Sequence, residues 1–139
     1  SDTVATLLPG TMFFLGRHGQ APARSLIDAG VPVALATDFN PGTSPTVNFP
    51  LILTLAVSQL RMSAAESIIA GTVNGAAALG LVHETGRIAE GYSADLALFD
   101  AEDLREIPYW YGDRRCMGTW ARGMPCHVRD GSDNLNILG

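Results

Sequence analysis

The chain has 139 residues, 47% of them apolar, and a net charge of −5. That length suits one modest domain or a piece of a larger one, and that composition supports a packed core and excludes disorder for most of its length. The acidic balance, with a pI near 4.9, argues against nucleic acid or an anionic membrane as partner, since both favour a basic patch.

The start, Ser1-Asp2-Thr3-Val4, shows no basic stretch followed by an apolar one, so no signal peptide is expected there. Val4 to Leu8 is a short apolar run closed by the turn signal Pro9-Gly10, and it reads as a buried strand. Thr11 to Ala21 reads as a loop with packed aromatics at Phe13 and Phe14. Pro22 suits the first turn of a helix that runs to Ala29 and stops at Gly30. Val31 to Ala36 is the next strand. Strand, helix and strand in about 35 residues make a βαβ unit with parallel strands.

That second strand runs into Thr37-Asp38-Phe39-Asn40-Pro41-Gly42-Thr43-Ser44-Pro45. An apolar strand ending on a carboxylate and opening into a polar loop is where α/β enzymes place metal ligands or bases, beyond the carboxyl ends of parallel strands. Asp38 is therefore the first functional candidate; the alternative is a plain Asx-turn at a strand end. Thr43 or Ser44 can cap a helix with Pro45 in its first turn. Pro50 then either kinks that helix or starts a new one. Leu51 to Leu60 is apolar on nearly every face, the pattern of a buried helix. It is too short to cross a membrane, which takes roughly 20 residues.

Ser63-Ala64-Ala65-Glu66 is a capping box, and the helix it opens carries Ile69, Val73, Ala76, Ala77 and Leu79 before Gly80. Asn74 within it reads as a structural tether. Thr85 to Gly91 is turn-rich, and Ala94 to Asp100 reads as a strand whose Asp95 is structural. Ile107 to Tyr111 is aromatic, Gly118–Ala121 and Cys126–Val128 are short strand candidates, and residues 131–139 form a polar tail. Cys116 and Cys126 make no CxxC, and two free thiols are expected over a disulfide. Thiols and the lack of a leader both point to the cytoplasm. The serines have no His–Asp set nearby in sequence, and no Gly-rich phosphate loop is present.

Two blocks together resemble the amidohydrolase superfamily. One is the strand ending in Asp38. The other is Thr72-Val73-Asn74-Gly75-Ala76-Ala77-Ala78-Leu79-Gly80-Leu81, continued by Gly86-Arg87-Ile88-Ala89-Glu90-Gly91 and Ala94-Asp95-Leu96. It is similar to the superfamily pattern T-x-N-x-A-x-x-L-G … G-x-I-x-x-G-x-x-A-D-L. Ala36-Thr37-Asp38-Phe39-Asn40-Pro41-Gly42-Thr43-Ser44-Pro45, and Leu8-Pro9-Gly10 followed by Phe13-Phe14-Leu15, narrow the likeness to members that open the ring amide of 4-imidazolone-5-propanoate in histidine degradation. Gly75 and the Trp110–Arg115 segment depart from the pattern.

The resemblance implies an α/β fold: the C-terminal part of a (β/α)8 TIM barrel, strands 7 and 8 with their helices, plus an arm of a small β-sandwich domain. Residues 1–82 would be the barrel part, 83–130 the arm and 131–139 a tail. It implies a metal-dependent hydrolase with one divalent metal, zinc or iron, a small-molecule substrate, and a homodimer at full length. Asp38 would be metal ligand and catalytic group, and Asn40, Gly42 and Thr43 would hold substrate. The metal-binding histidines of earlier strands have no counterpart: His18, His83 and His127 match none, and His18 either borders the site or is an ordinary loop residue. One carboxylate cannot hold a catalytic zinc, which typically takes three protein ligands. The 139-residue chain by itself is thus expected to be inactive and to expose sheet edges and apolar faces. A deaminase-like or dihydroorotase-like amidohydrolase, and a non-catalytic fragment, are the alternatives.

Overall fold

The computed structural model describes residues 3–17 and 19–129. The readings of His18 and of the 131–139 tail lie outside the described residues. Strands β1 (Ala5–Leu7) and β2 (Val33–Leu35) pair in parallel, with Ala5 opposite Val33 and Leu7 opposite Leu35. Between them run helices α1 (Pro9–Phe14) and α2 (Ala23–Asp28). The expected βαβ unit is present, and α2 stops at Gly30, whose φ of +76° needs no side chain.

Helix α1 corrects the expectation of a loop. Proline starts helices as well as turns, because its fixed φ suits the first helical position; here Pro9 does the former. The aromatics after it are not packed: Phe13 is 60% and Phe14 53% exposed. The buried residues of α1 are Pro9 and Gly10.

Helix α3 (Phe49–Leu60) begins later than a Thr43 or Ser44 cap would put it. The hydroxyl of Ser44 donates to the Thr37 carbonyl, and Thr43 is bonded to Asn40, so neither is left to cap a helix. Asn48 caps instead, its Oδ1 accepting from Leu51 N at 3.2 Å, and Pro50 falls harmlessly in the first turn. Ile52, Leu53, Leu55, Ala56 and Leu60 are buried, as the all-apolar pattern requires.

Ser63 and Glu66 form the expected capping box, with bonds of 3.2 and 2.7 Å. The helix is not continuous to Leu79, however. It divides into α4 (Ala64–Gly71) and α5 (Val73–Ala78) at Thr72, where the backbone leaves the helical region. Two close contacts flank that break. A methyl group added at Gly71 would lie 2.6 Å from the Phe49 ring, and one added at Gly86 would lie 2.9 Å from the Thr72 carbonyl. Asn74 on α5 donates to the Val33 carbonyl at 2.8 Å, the tether expected of it.

The core joins the sheet to α2, α3 and α4 through Leu7, Ala23, Val33, Leu35, Ile52, Ala56 and Ala70. The second sheet is antiparallel, in the order β3 (Leu96–Phe99), β4 (Cys116–Ala121), β5 (Met124–Val128). Arg122 and Gly123 turn the β4–β5 hairpin with positive φ at both positions. Asp95 accepts from Arg122 N and from the Thr85 hydroxyl, which pins this hairpin to the turn-rich segment. Those bonds, Arg122's first, hold its carboxyl below the ordinary value. A short helix, α6 (Glu106–Tyr109), docks on α3, where Thr54 donates to the Pro108 carbonyl at 2.7 Å. Both cysteines are free thiols, as expected. Among the described residues no sheet closes into a barrel, and no helix is long and apolar enough to cross a membrane.

Candidate functional site

Strand β2 is buried at Val33, Ala34 and Leu35, and the chain reaches partial exposure as it leaves the sheet at Ala36. Asp38 follows three residues beyond the strand with φ +52°. A left-handed conformation is uncommon outside glycine; Asp tolerates it better than most because its short polar side chain bonds locally. The turn is held at several points. On one side Ser44, 1% exposed, donates its hydroxyl to the Thr37 carbonyl at 2.6 Å. On the other Asn40 Nδ2 donates to the Asp38 carbonyl at 2.7 Å.

The four residues singled out from sequence lie together on this one loop. Asn40 is its hub. Its Oδ1 accepts from Gly42 N at 2.9 Å, from Thr43 N at 2.8 Å and from the Thr43 hydroxyl at 3.1 Å. A backbone bridge between Asn40 and Ser44 closes the base. The donors at Gly42 and Thr43 are therefore engaged within the loop. Phe39 projects with 63% of its surface exposed.

The carboxylate of Asp38 has a partner that the sequence did not single out. Thr11, on the first turn of α1, donates its hydroxyl to Asp38 Oδ2 at 2.7 Å. The other oxygen, Oδ1, receives no hydrogen bond from the described residues. A carboxylate with one oxygen fixed by a donor and one unengaged suits a metal ligand, because ligating carboxylates are themselves oriented by hydrogen bonds. No three His, Cys, Asp or Glu side chains gather to hold a metal among the described residues, so Asp38 stands as a single candidate ligand. Thr11 and Ser44 were the residues missed. Thr11 obeys the rule that picked out Asp38, lying just past the carboxyl end of a parallel strand.

The model of the amidohydrolase family matches residues 14–131. The chain belongs to the amidohydrolase family. Among curated relatives, the imidazolonepropionase of Bacillus velezensis is 47% identical over 132 residues, covering 95% of this chain and 31% of its own length. That of Geobacillus thermodenitrificans is 52% identical over 109 residues, covering 78% of this chain and 26% of its own. The chain thus spans about a third of the length of the curated relatives it matches. Solved structures agree on the fold. An adenosine deaminase from Xanthomonas campestris with bound zinc superposes with a TM-score of 0.81 at 25% identity, over 90% of this chain and 32% of that one. A 5-methylcytosine deaminase from Klebsiella pneumoniae gives 0.67 at 27% identity, over 82% and 29%. The α/β architecture described above is therefore shared within the amidohydrolase family.

Proposed function

We propose that this chain is the Asp38-bearing C-terminal portion of an imidazolonepropionase, which adds water across the ring amide of 4-imidazolone-5-propanoate to give N-formimidoyl-L-glutamate. The observation that carries this reading is the identity of 45–52% to imidazolonepropionases along most of the chain. On this reading, β1 and β2 are strands 7 and 8 of a (β/α)8 barrel, residues 1–82 complete the barrel part, and β3–β5 within 83–130 form one arm of a β-sandwich. Large apolar side chains left uncovered support it: Leu79 is 75%, Ile88 91% and Leu98 55% exposed. Between the first sheet, α5 and β3 lies an open apolar hollow of about 750 Å³. The missing ligands and cover belong to the remaining two thirds of such an enzyme, which would pair as a homodimer.

Asp38 would hold a divalent metal, zinc or iron, through its unengaged oxygen. When bound, such an ion acidifies water and polarises a carbonyl oxygen. The work of this chain is positional and protonic. The Asp38 carboxylate holds the attacking water and takes its proton. The proton then passes to the ring nitrogen as the carbon–nitrogen bond breaks. Asn40, Gly42 and Thr43 form the substrate side of the loop, where an amide, a backbone N–H and a hydroxyl suit a propanoate carboxylate or a ring amide. Asn40 Oδ1 takes the Gly42 and Thr43 N–H groups and so holds the loop in the shape that substrate would meet.

The test is a substrate panel on the complete enzyme carrying this segment. Consumption of imidazolone-propanoate, lost in Asp38→Ala, is the expected result. Release of ammonia from adenosine or cytosine, with no ring opening, would replace this reading by the deaminase one that the zinc-bound Xanthomonas neighbour favours.

A further inference from the structure

We infer that Thr11 is a positioning residue for Asp38, fixing one carboxylate oxygen so that the side chain offers a divalent cation the other oxygen first. The inference rests on the proposed reading of Asp38 as a metal ligand and extends it to a residue 27 positions earlier in the chain.

The backbone around Asp38 is already immobilised. Ser44 holds the carbonyl before it and Asn40 holds its own carbonyl. What remains free is rotation of the side chain, and Thr11 removes that freedom. Its hydroxyl lies 2.7 Å from Oδ2, within the short range of an O–H···O⁻ bond to a charged acceptor. A carboxylate with one oxygen so occupied presents the other oxygen first to a metal. That leaves a coordination position open for water or substrate, as catalytic sites require.

The approach of α1 to the loop is built for this contact. Gly10, buried beside Thr11, has no room for a side chain: a methyl group there would lie 2.9 Å from the tip of Ile52 and 3.1 Å from the Ser44 hydroxyl. The absence of a Cβ at Gly10 lets α1 press on the Ser44–Thr37 clamp and brings Thr11 within reach. Thr11 is itself half-exposed and lies outside the hydrophobic core, so its hydroxyl is not explained by packing.

The experiment uses the complete metal-loaded enzyme, with Thr11→Val, Thr11→Ala and Thr11→Ser variants. Metal retention is read by competition with a chelator, and melting of the metal-stripped protein is followed alongside. Partners of ligating groups typically contribute 10–100-fold to metal affinity. Val and Ala are expected to lose about that much while the stripped proteins melt as wild type does, and Ser is expected to hold metal as wild type does. If Thr11→Val does not fold, the contrast of Ala with Ser carries the test. Wild-type affinity in both Val and Ala, or a Ser variant as weak as Ala, overturns the inference. Wild-type metal content and Asp38→Ala separate the two levels. If Asp38→Ala keeps its metal, the ligand reading fails and takes Thr11 with it. If Asp38→Ala loses metal and Thr11→Ala does not, only the role of Thr11 fails.

Discussion

Replacing Asn40 by Ala removes the hub of the Asp38 loop. Three donors, Gly42 N, Thr43 N and the Thr43 hydroxyl, lose their common acceptor, and the Asp38 carbonyl loses Nδ2. Each such bond is worth about 1 kcal/mol net, and less where water can replace it. Gly42 is exposed and Thr43 half-buried, so water recovers much of the loss. The backbone bridge from Asn40 to Ser44 survives. A net cost of about 1–2 kcal/mol to the closed loop follows, which is about a 5- to 30-fold change in the ratio of closed to open. The same factor should appear in two assays on the complete enzyme. Amide hydrogen exchange at Gly42 and Thr43 should quicken by about 5- to 30-fold. On the proposed reading, the KM for imidazolone-propanoate should rise by a similar factor, because binding must first re-order the loop. Asn40→Asp keeps the acceptor and loses only the donors, so exchange at those amides should stay near wild type. Unchanged exchange in Asn40→Ala would refute this account, and a raised KM with unchanged exchange would place Asn40 on the substrate itself.

Glu66 links the α4 cap to Arg24, and its carboxyl is pulled from 4.5 to about 2 by the Arg24 guanidinium first and then by Ser63 N–H. Because the folded value is the lower one, this stabilisation is full above pH 4.5 and lost as pH falls through about 2. At neutral pH Glu66→Gln should cost about 1 kcal/mol in unfolding experiments, the scale of a cap and a partly exposed ion pair; a cost that persisted undiminished at pH 2 would contradict it. Gly71→Ala, at the end of α4, gains at most about 1 kcal/mol in helix propensity but forces a methyl group to 2.6 Å from the Phe49 ring, an overpacking worth about 1–3 kcal/mol. A net loss of about 1 kcal/mol is expected, relieved by Phe49→Leu, and a stabilised single variant would show that the ring yields freely. The 139-residue chain expressed by itself should hold no stoichiometric zinc, since a catalytic zinc typically takes three protein ligands and no three His, Cys, Asp or Glu side chains gather to hold one among the described residues. Metal analysis of the purified chain checks this.

Much of the fold was legible because local chemistry decides it. Parallel strands follow from the apolar runs at Val4–Leu8 and Val31–Ala36 with helical chain between them, the α4 start from Ser63 and Glu66, and the end of α2 from Gly30. The misreadings fall where a distant contact decides. Ser44 looks like a helix cap until its hydroxyl meets the Thr37 carbonyl. Thr72 looks like helix interior, yet its backbone leaves the helical region with Gly86 close against its carbonyl. The aromatics at Phe13 and Phe14 look like core, yet nothing described covers them. The candidate site divides in the same way. Asp38 and its loop stand out in one contiguous stretch, whereas Thr11 is joined to them only by the pairing of β1 with β2.

The Asp38 loop is organised to hold a costly conformation still. A left-handed non-glycine residue costs roughly 1–2 kcal/mol, and here Ser44, Asn40 and Thr11 each hold one group at or beside it. For a plain turn that expenditure has no return, since Gly at position 38 would avoid the strain. For a carboxylate that must meet ligands carried elsewhere, it has one. A group fixed before the ion arrives loses little entropy on binding, and small errors in placement weaken a metal site or slow its chemistry. The polar side chains follow the same division. Asn74 secures β2 from below through the Val33 carbonyl, and the loop residues secure its far end. The three-residue strand β2 is thus fastened at both ends. On the proposed reading, that fastening lets a segment with one ligand present it in a set position to the rest of the enzyme.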